Sequence, residues 1–416
     1  MKMMMLALNK LNRLGNFSYE KDGRELMGKI LSSLYLRVGL LIAILMLTCR
    51  PSAQAEEFIV PDDYFSIEEA MELAESGDCI VVMPGTYYER IVVKEGVNLV
   101  SFDGDDGNEL VDGPGQKKVL KRTLRTIIDG SEIEDSGYLI RFPSDTATPM
   151  KVDGFTFQNM PKYISGIPLF LMEIRACSPV VVNNIFTGNR SWGAILSTGL
   201  GVGMGPALDT EAKPLIENNI IYANDGPGIA NGGNSSATIA NNEIFDNSFP
   251  ESGDKAQFAP AVGIREKGRP IIDNNLCYRN EVGIGAINFD SHEKPLIIKN
   301  NTIFNNKRAG IGLRGLGGAD ANIRAVIENN RIYGNLTAGI RCTKTDGVEI
   351  IYNAIFDNRR SGISLWNVNE AVIEDNEIYG NLTAGIRLLD VPSAALRRNY
   401  IYRNVTAGID FIGWKH

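Results

Sequence analysis

Two groups of side chains in this sequence could do chemistry. The first is the run Phe289-Asp290-Ser291-His292-Glu293, which carries one of only two histidines in the chain. A histidine flanked by carboxylates is held in one tautomer and tuned to accept a proton near neutral pH. Asp290 and His292 are therefore the candidate catalytic pair. The second group is cationic. Arg265, Arg341 and Arg387 each follow a Gly-Ile step, at Gly263, Gly339 and Gly385, and Arg314 falls on the same alternation after Gly310-Ile311. If each isoleucine points inward along a strand, the next residue points outward. These four arginines are then candidate substrate-binding residues on one outer face, where a guanidinium can hold a carboxylate in bidentate fashion. The competing reading is that they are solubilising charges paired with nearby Asp or Glu.

What could line such side chains up is an internal repeat. Asn353, Asn376 and Asn399 are spaced 23 residues apart. The register extends backwards through Asn330, Asn301, Asn275, Asn242, Asn219 and Asn184, at steps between 23 and 35. Gly-Ile recurs in parallel, at Gly263, Gly283, Gly310, Gly339, Gly362, Gly385 and Gly408. Each unit holds about three short β-branched or aromatic runs separated by asparagine or glycine, so it reads as three strands and three turns. No helix of ~11 residues fits inside. One coil cannot enclose a core, but coils stacked at ~4.8 Å pair each strand with its successor in parallel and bury a column of Ile, Val and Leu. The turn asparagines are expected to tolerate the left-handed conformation and to bond amide to amide from coil to coil. Leucine-rich repeats share the period, but L-x-x-L-x-L is absent. The fold class predicted is all-β, a right-handed parallel β-helix of three-strand coils.

An open stack exposes sheet edges that need covering. Ser66 and Glu69 form a capping box, Ile67, Ala70, Met71 and Ala74 share one helical face, and Gly77 closes the run, so a short N-terminal capping helix is expected over 66–76. No comparable cap follows Gly408-Ile409-Asp410; either the Trp414 end or another molecule would close the last coil. The helix followed by Gly77-Asp78-Cys79-Ile80-Val81-Val82-Met83-Pro84-Gly85-Thr86-Tyr87-Tyr88-Glu89 resembles the opening of pectin-lyase-like β-helix proteins. With the repeats, that resemblance covers nearly all of the chain after residue 55. It implies binding of acidic polysaccharide along an outer face. Asp290, Ser291 and His292 more distantly resemble the Asp-Pro-His-Asp segment of mannuronan C5-epimerases, with Ser291 in place of Pro and Glu293 in place of the last Asp. That likeness implies proton abstraction next to a uronate carboxylate. The paired aspartates of polygalacturonases do not occur on adjacent coils. The repeats are also similar to those of periplasmic β-helix proteins of the copper-binding and nitrous-oxide-reductase maturation (NosD) type, which implies a non-catalytic scaffold or accessory role.

Residues 1–55 read differently. Lys29 and Arg37 precede an apolar run over 38–47, and Ala53-Gln54-Ala55 follows as a cleavage site, which is the pattern of a signal peptide. The alternatives are a membrane anchor, for which the run falls short of ~20 residues, and lipidation at Cys49. The domains expected are a leader over 1–55, cap and first strands over 56–90, and β-helix over 91–416. The leader holds 8 of the 42 basic and 3 of the 50 acidic residues, leaving 34 and 47, a net charge of −13. That balance excludes a nucleic-acid partner. Cys79, Cys177, Cys277 and Cys342 lack C-x-x-C spacing, so no metal site or cofactor is expected. Cys277 falls in a slot otherwise held by Ile, which points to a buried free thiol. The reading is an exported protein (periplasm, outer surface or extracellular) with no membrane span after the leader. It binds, and in the enzymatic version epimerises or cleaves, an acidic polysaccharide or cell-envelope glycan.

Overall fold

The computed structural model describes residues 55–412 except 105, 134–136, 147, 162–169, 191, 200–209, 250–258, 290–293 and 316–323. The described strands form a 12-stranded parallel sheet, a 23-stranded parallel sheet and one small antiparallel hairpin. In the final coils the wiring is plain. Strand Ile340–Ile351 pairs along its first half with Ile311–Gly315 and along its second half with Arg324–Glu328, so one strand turns a corner between two arms of the larger sheet. The smaller sheet supplies the third side, through strands such as Ala354–Phe356. The result is a three-sided right-handed prism. In chain order, the first face holds strands such as Arg324–Glu328, the second Arg331–Tyr333 and the third the first half of Ile340–Ile351.

Period-2 alternation fills the prism. On the second face the inward column runs Phe157, Phe186, Ile221, Ile244, Cys277, Ile303 and Ile332, each aligned with the next and none exposed. The large rings Phe155, Phe157 and Phe186 fill the early coils, and isoleucine predominates in the later ones. The helix Ile67–Leu73 lies across the first coil as expected, with Ser66 Oγ accepting from the Glu69 N–H at 3.0 Å and Ile67, Ala70 and Met71 buried. Glu69 reaches back to the Phe65 N–H, one residue earlier than a standard box requires.

Polar ladders run inside this core. Asn353 Oδ1 accepts from both the N–H and the side-chain amide of Asn330, while Asn353 Nδ2 donates to the Ile327 and Ile351 carbonyls and to Asn376 Oδ1, all at 2.9–3.0 Å. The same linkage joins the nine asparagines from Asn184 to Asn399. A second ladder runs five residues further on, from Asn189 to Asn404. The two tasks assigned to one turn asparagine are divided between neighbours. The left-handed residue is the one before the ladder asparagine: Asn329 at φ 54°, Tyr352 at 57°, Asp375 at 54°, Arg398 at 52°. The ladder residue needs its side chain turned inward to reach carbonyls, and its predecessor supplies the turn.

Two features lie outside the repeat. Strands Leu110–Asp112 and Lys118–Leu120 form a hairpin, and a short helix Lys121–Arg125 follows. The helix buries Arg122, whose guanidinium meets Asp153 at 2.7 Å and the Ser101 carbonyl and hydroxyl at 3.0–3.1 Å. The hairpin packs Val111 and Val119 onto the outside of the second face.

Among the described residues all four cysteines are free; Cys177, Cys277 and Cys342 are buried and Cys79 half-buried. Burial pushes those three thiols up to about 12 from the ordinary 9.0. An alkylating reagent at pH 8 is therefore expected to reach Cys79 before the other three, which should react only on unfolding; rapid labelling of Cys277 in the native state would contradict that burial. The unfolded thiols ionise first, so the stability tied to keeping them neutral is intact below pH 9.0 and is lost as pH rises towards 12, read as a falling urea midpoint. Asn353→Ala removes five hydrogen bonds and orphans buried backbone groups, so about 3 kcal/mol or more of stability should be lost in urea unfolding. Asn329→Gly, at the adjacent left-handed position, should cost less than about 0.5 kcal/mol.

Candidate functional site

The third face carries the arginines. Its strands align Ile229, Val262, Ile284, Ile311, Ile340, Ile363 and Ile386 as one buried column. The next residue in each strand points outward, giving the column Gly263, Gly285, Gly312, Arg341, Ser364, Arg387 and Asp410. Two residues further lies a second outward column, Arg265, Ile287, Arg314, Thr343, Trp366 and Leu389. The four arginines thus share a face but not a row. Gly283-Ile284 aligns with Ala261-Val262 instead of Gly263-Ile264, so the Gly-Ile mark slips by two residues at Gly263. Arg265 consequently stands beside Arg314, and Arg341 beside Arg387, each pair two coils and ~9.6 Å apart.

Their surroundings differ. Arg265, Arg314 and Arg341 are exposed and make no ion pair with any described residue. Arg387 is half-buried and donates through Nε to Asp410 Oδ2 at 2.9 Å, with its terminal nitrogen 2.8 Å from the same oxygen. An exposed pair of this kind contributes only ~0–1 kcal/mol, so Asp410 tempers the charge without fixing the fold. In the second column stands Trp366, 41% exposed, with Ser364 of the first column two residues before it on the same strand. A large aromatic held outward on a rigid strand offers a flat apolar surface beside two guanidinium groups. Upstream, Gly263, Gly285 and Gly312 occupy consecutive coils of the same outward column, with the Pro260 and Val282 side chains packed against them; Gly285 is buried and the other two half-buried. Together these make a track along the prism: glycine in the first column beside Arg265 and Arg314 upstream, and Arg341, Arg387 and Trp366 downstream.

Asp290 and His292 lie outside the described residues. The strand Val282–Phe289, which precedes them in sequence, belongs to this same third face. Among the described residues no group of three or more His, Cys, Asp or Glu side chains is placed to hold a metal ion. Trp366 was missed in the sequence although the signal was present: Ile363 inward, Ser364 outward, Leu365 inward and Trp366 outward follow one alternation. The slipped register at Gly263 had no such signal, because Gly263-Ile264 carries the mark while Ala261-Val262, which pairs with Gly283-Ile284, keeps the same inward–outward alternation.

A family model described as "Right handed beta helix region" matches residues 119–284, 176–324 and 285–415. Among solved structures, the Streptococcus pneumoniae surface protein and adhesin PfbA is similar at 15% identity and a TM-score of 0.56, over 81% of this chain and 92% of that one. A mutant of the periplasmic alginate epimerase AlgG is similar at 11% identity and a TM-score of 0.51, over 86% and 85%. The A-module of the Azotobacter vinelandii mannuronan C-5 epimerase AlgE4 gives 15% identity and a TM-score of 0.48, over 82% and 93%. No curated protein matches the sequence. Among the described residues no helix is long and apolar enough to cross a membrane.

Proposed function

We propose a function from one premise, that this chain belongs to the right-handed β-helix family: it is an exported protein that binds an acidic polysaccharide along its third face. The observation that carries the reading is the placement of Arg314 and Arg341, exposed and without described partners, on the two strands that precede the one presenting Trp366 in the same sheet. A polyuronate repeats a carboxylate along an extended chain. Arginines two coils apart, at ~9.6 Å, meet such a polymer as a series of fixed bidentate clamps. The tryptophan adds a surface for the apolar side of a sugar ring. Each contact is modest, and affinity builds by repetition along the track.

Acidic groups dominate the chain overall, so an anionic ligand needs local positive potential. The third face supplies it at Arg265, Arg314 and Arg341, whereas Arg397 and Arg398 on other faces are consumed by Glu374 and Asp375 at 2.6–2.9 Å. Export follows from the leader pattern of residues 1–55 and accords with a ligand outside the cytoplasm. AlgG, a periplasmic protein of the same fold, is an epimerase of alginate, a polymer of this class. PfbA, a surface adhesin, is a second protein of that fold and stands for the non-catalytic alternative, a surface or periplasmic scaffold. Catalysis in this chain rests on Asp290 and His292 and is a separate question from binding.

Retention of the chain after residue 55 on an alginate or pectin gel tests the binding. Arg341→Glu with Arg314→Glu should reduce it at least ten-fold, Trp366→Ala should weaken it, and Asp410→Asn, which releases Arg387, should strengthen it. Unchanged retention in the double charge reversal would remove the third face as the site. Uptake of solvent deuterium into polymannuronate, abolished by His292→Ala, would make the protein an epimerase; a wild-type chain that binds but exchanges nothing would make it a binding protein.

A further inference from the structure

The second face, away from the arginine track, carries a feature that polysaccharide binding does not use. One aromatic ring per coil points outward from Tyr222 and Phe245 through Tyr278 to Tyr379 and Tyr402, with neighbouring centroids 4.9–5.0 Å apart and planes within 12° of parallel. Along its upstream part this column is covered by the hairpin. Val111 and Val119 pack beside Phe245 and Tyr278, and the turn presses its backbone onto Glu243, whose carboxylate accepts from the Gln116 N–H at 2.6 Å and the Lys117 N–H at 2.8 Å. Tyr278, one coil on, donates its hydroxyl to the same carboxylate at 2.7 Å. Gly115 sits so close that a Cβ there would lie 2.4 Å from the carboxylate carbon.

The downstream part repeats this arrangement with no cover among the described residues. Glu377 occupies the strand position of Glu243, in register through Leu276, Thr302, Arg331 and Ala354. Tyr402, one coil on, donates to Glu377 Oε1 at 2.9 Å, the counterpart of Tyr278 on Glu243. Glu377 is exposed where Glu243 is fully buried. In the coil before it the small Ala354 leaves a depression of about 350 Å³, walled by Phe356 and Tyr379 and closed at the far end by Arg331, which lies over the Tyr333 and Phe356 rings. The uncovered surface is continuous with the hairpin interface, because one ring column runs through both.

We propose that Glu377, Tyr402 and the depression at Ala354 form a docking site for a protein segment with the chemistry of the hairpin tip. That segment is a tight turn with glycine at its apex, two successive free backbone N–H groups, and a β-branched aliphatic side chain on either side. The carboxylate accepts the two N–H groups, charge-assisted and therefore stronger than neutral bonds. The glycine allows the close approach, and the aliphatic side chains cover the ring edges. A glycan fits this surface less well. Rings stacked face to face along the column turn their edges outward and keep their faces from a sugar.

The probe is a cyclised synthetic peptide of residues 110–120, titrated calorimetrically into the full chain. One-to-one saturable binding is expected, weakened at least ten-fold by Glu377→Gln and by Ala354→Arg, which fills the depression, and unaltered by Arg341→Glu. Both weakening substitutions lie on the surface, and an unchanged thermal melt would confirm that they leave the stack intact. No binding at millimolar peptide would overturn the proposal. Binding indifferent to both substitutions, as exchange with the chain's own hairpin at Glu243 would give, would overturn it too. So would a uronate oligosaccharide that binds in the peptide's stead and is lost in Ala354→Arg.

Discussion

The structure depends on the side-chain amide ladder at the two tight turns of each coil. A parallel β-helix hydrogen-bonds its strands to the coils above and below, but at each corner the strand pattern stops and backbone groups point into a core that offers no water. Asn353 resolves this at one corner by bonding the Ile327 and Ile351 carbonyls and capping the Asn330 N–H. An unsatisfied buried group costs ~1–3 kcal/mol, and every coil has two such corners. No other residue type of similar size both donates two protons and accepts at one oxygen, which is why the ladder positions stay asparagine while the left-handed positions before them range over Asn, Tyr, Asp, Gly, Ala and Arg. Once the corners are fixed, the register of each coil on the next is fixed with them.

Fixed register is what turns a one-dimensional sequence into functional surfaces. Residues 23 apart become vertical neighbours, so Arg341, Ser364 and Arg387 form a column that nothing local in the sequence would join. The same mechanism serves three different surfaces. On the third face it lines up guanidinium groups beside a column of glycines. On the second face it stacks rings, with the hairpin closing one end of the column. On the first face it pairs Arg397 and Arg398 with Glu374 and Asp375, which neutralises them. A rigid scaffold of this kind changes its outward residues freely, because the inward column of Ile and the amide ladders carry the stability.

Much of this was legible in the sequence, for reasons that can be named. The asparagine spacing and the capping helix follow from backbone satisfaction and helix chemistry, which act locally, and both are found where the residues placed them. Cys277 in an isoleucine slot was legible for the same reason, since alternation alone decides what points inward. The row of four arginines was only half legible. Motif alignment put Arg265 in one column with Arg341 and Arg387, whereas strand pairing aligns Val262 with Ile284 and moves Arg265 to the adjacent column. A register that slips by two residues keeps every side chain on its proper face, so the pattern of apolar residues could not reveal the slip. The hairpin over 110–120 left no trace in the repeat because it departs from it, and its partner Glu243 is more than a hundred residues away. The ring column was visible as a recurrent Phe or Tyr, but its stacking distance is a property of the coil pitch and not of any one segment.

Cross-linking tests the coil-on-coil register most directly. Ser364→Cys with Arg387→Cys places two thiols on adjacent coils at ~4.8 Å between Cα atoms, within the span a disulfide can bridge, whereas Ser364→Cys with Asp410→Cys places them at ~9.6 Å, beyond it. Mild oxidation of the native protein should close the first pair to completion and leave the second reduced, with the buried native thiols silent in both. Cross-linking of the two-coil pair, or none in the adjacent pair, would contradict the stacking on which both surfaces rest.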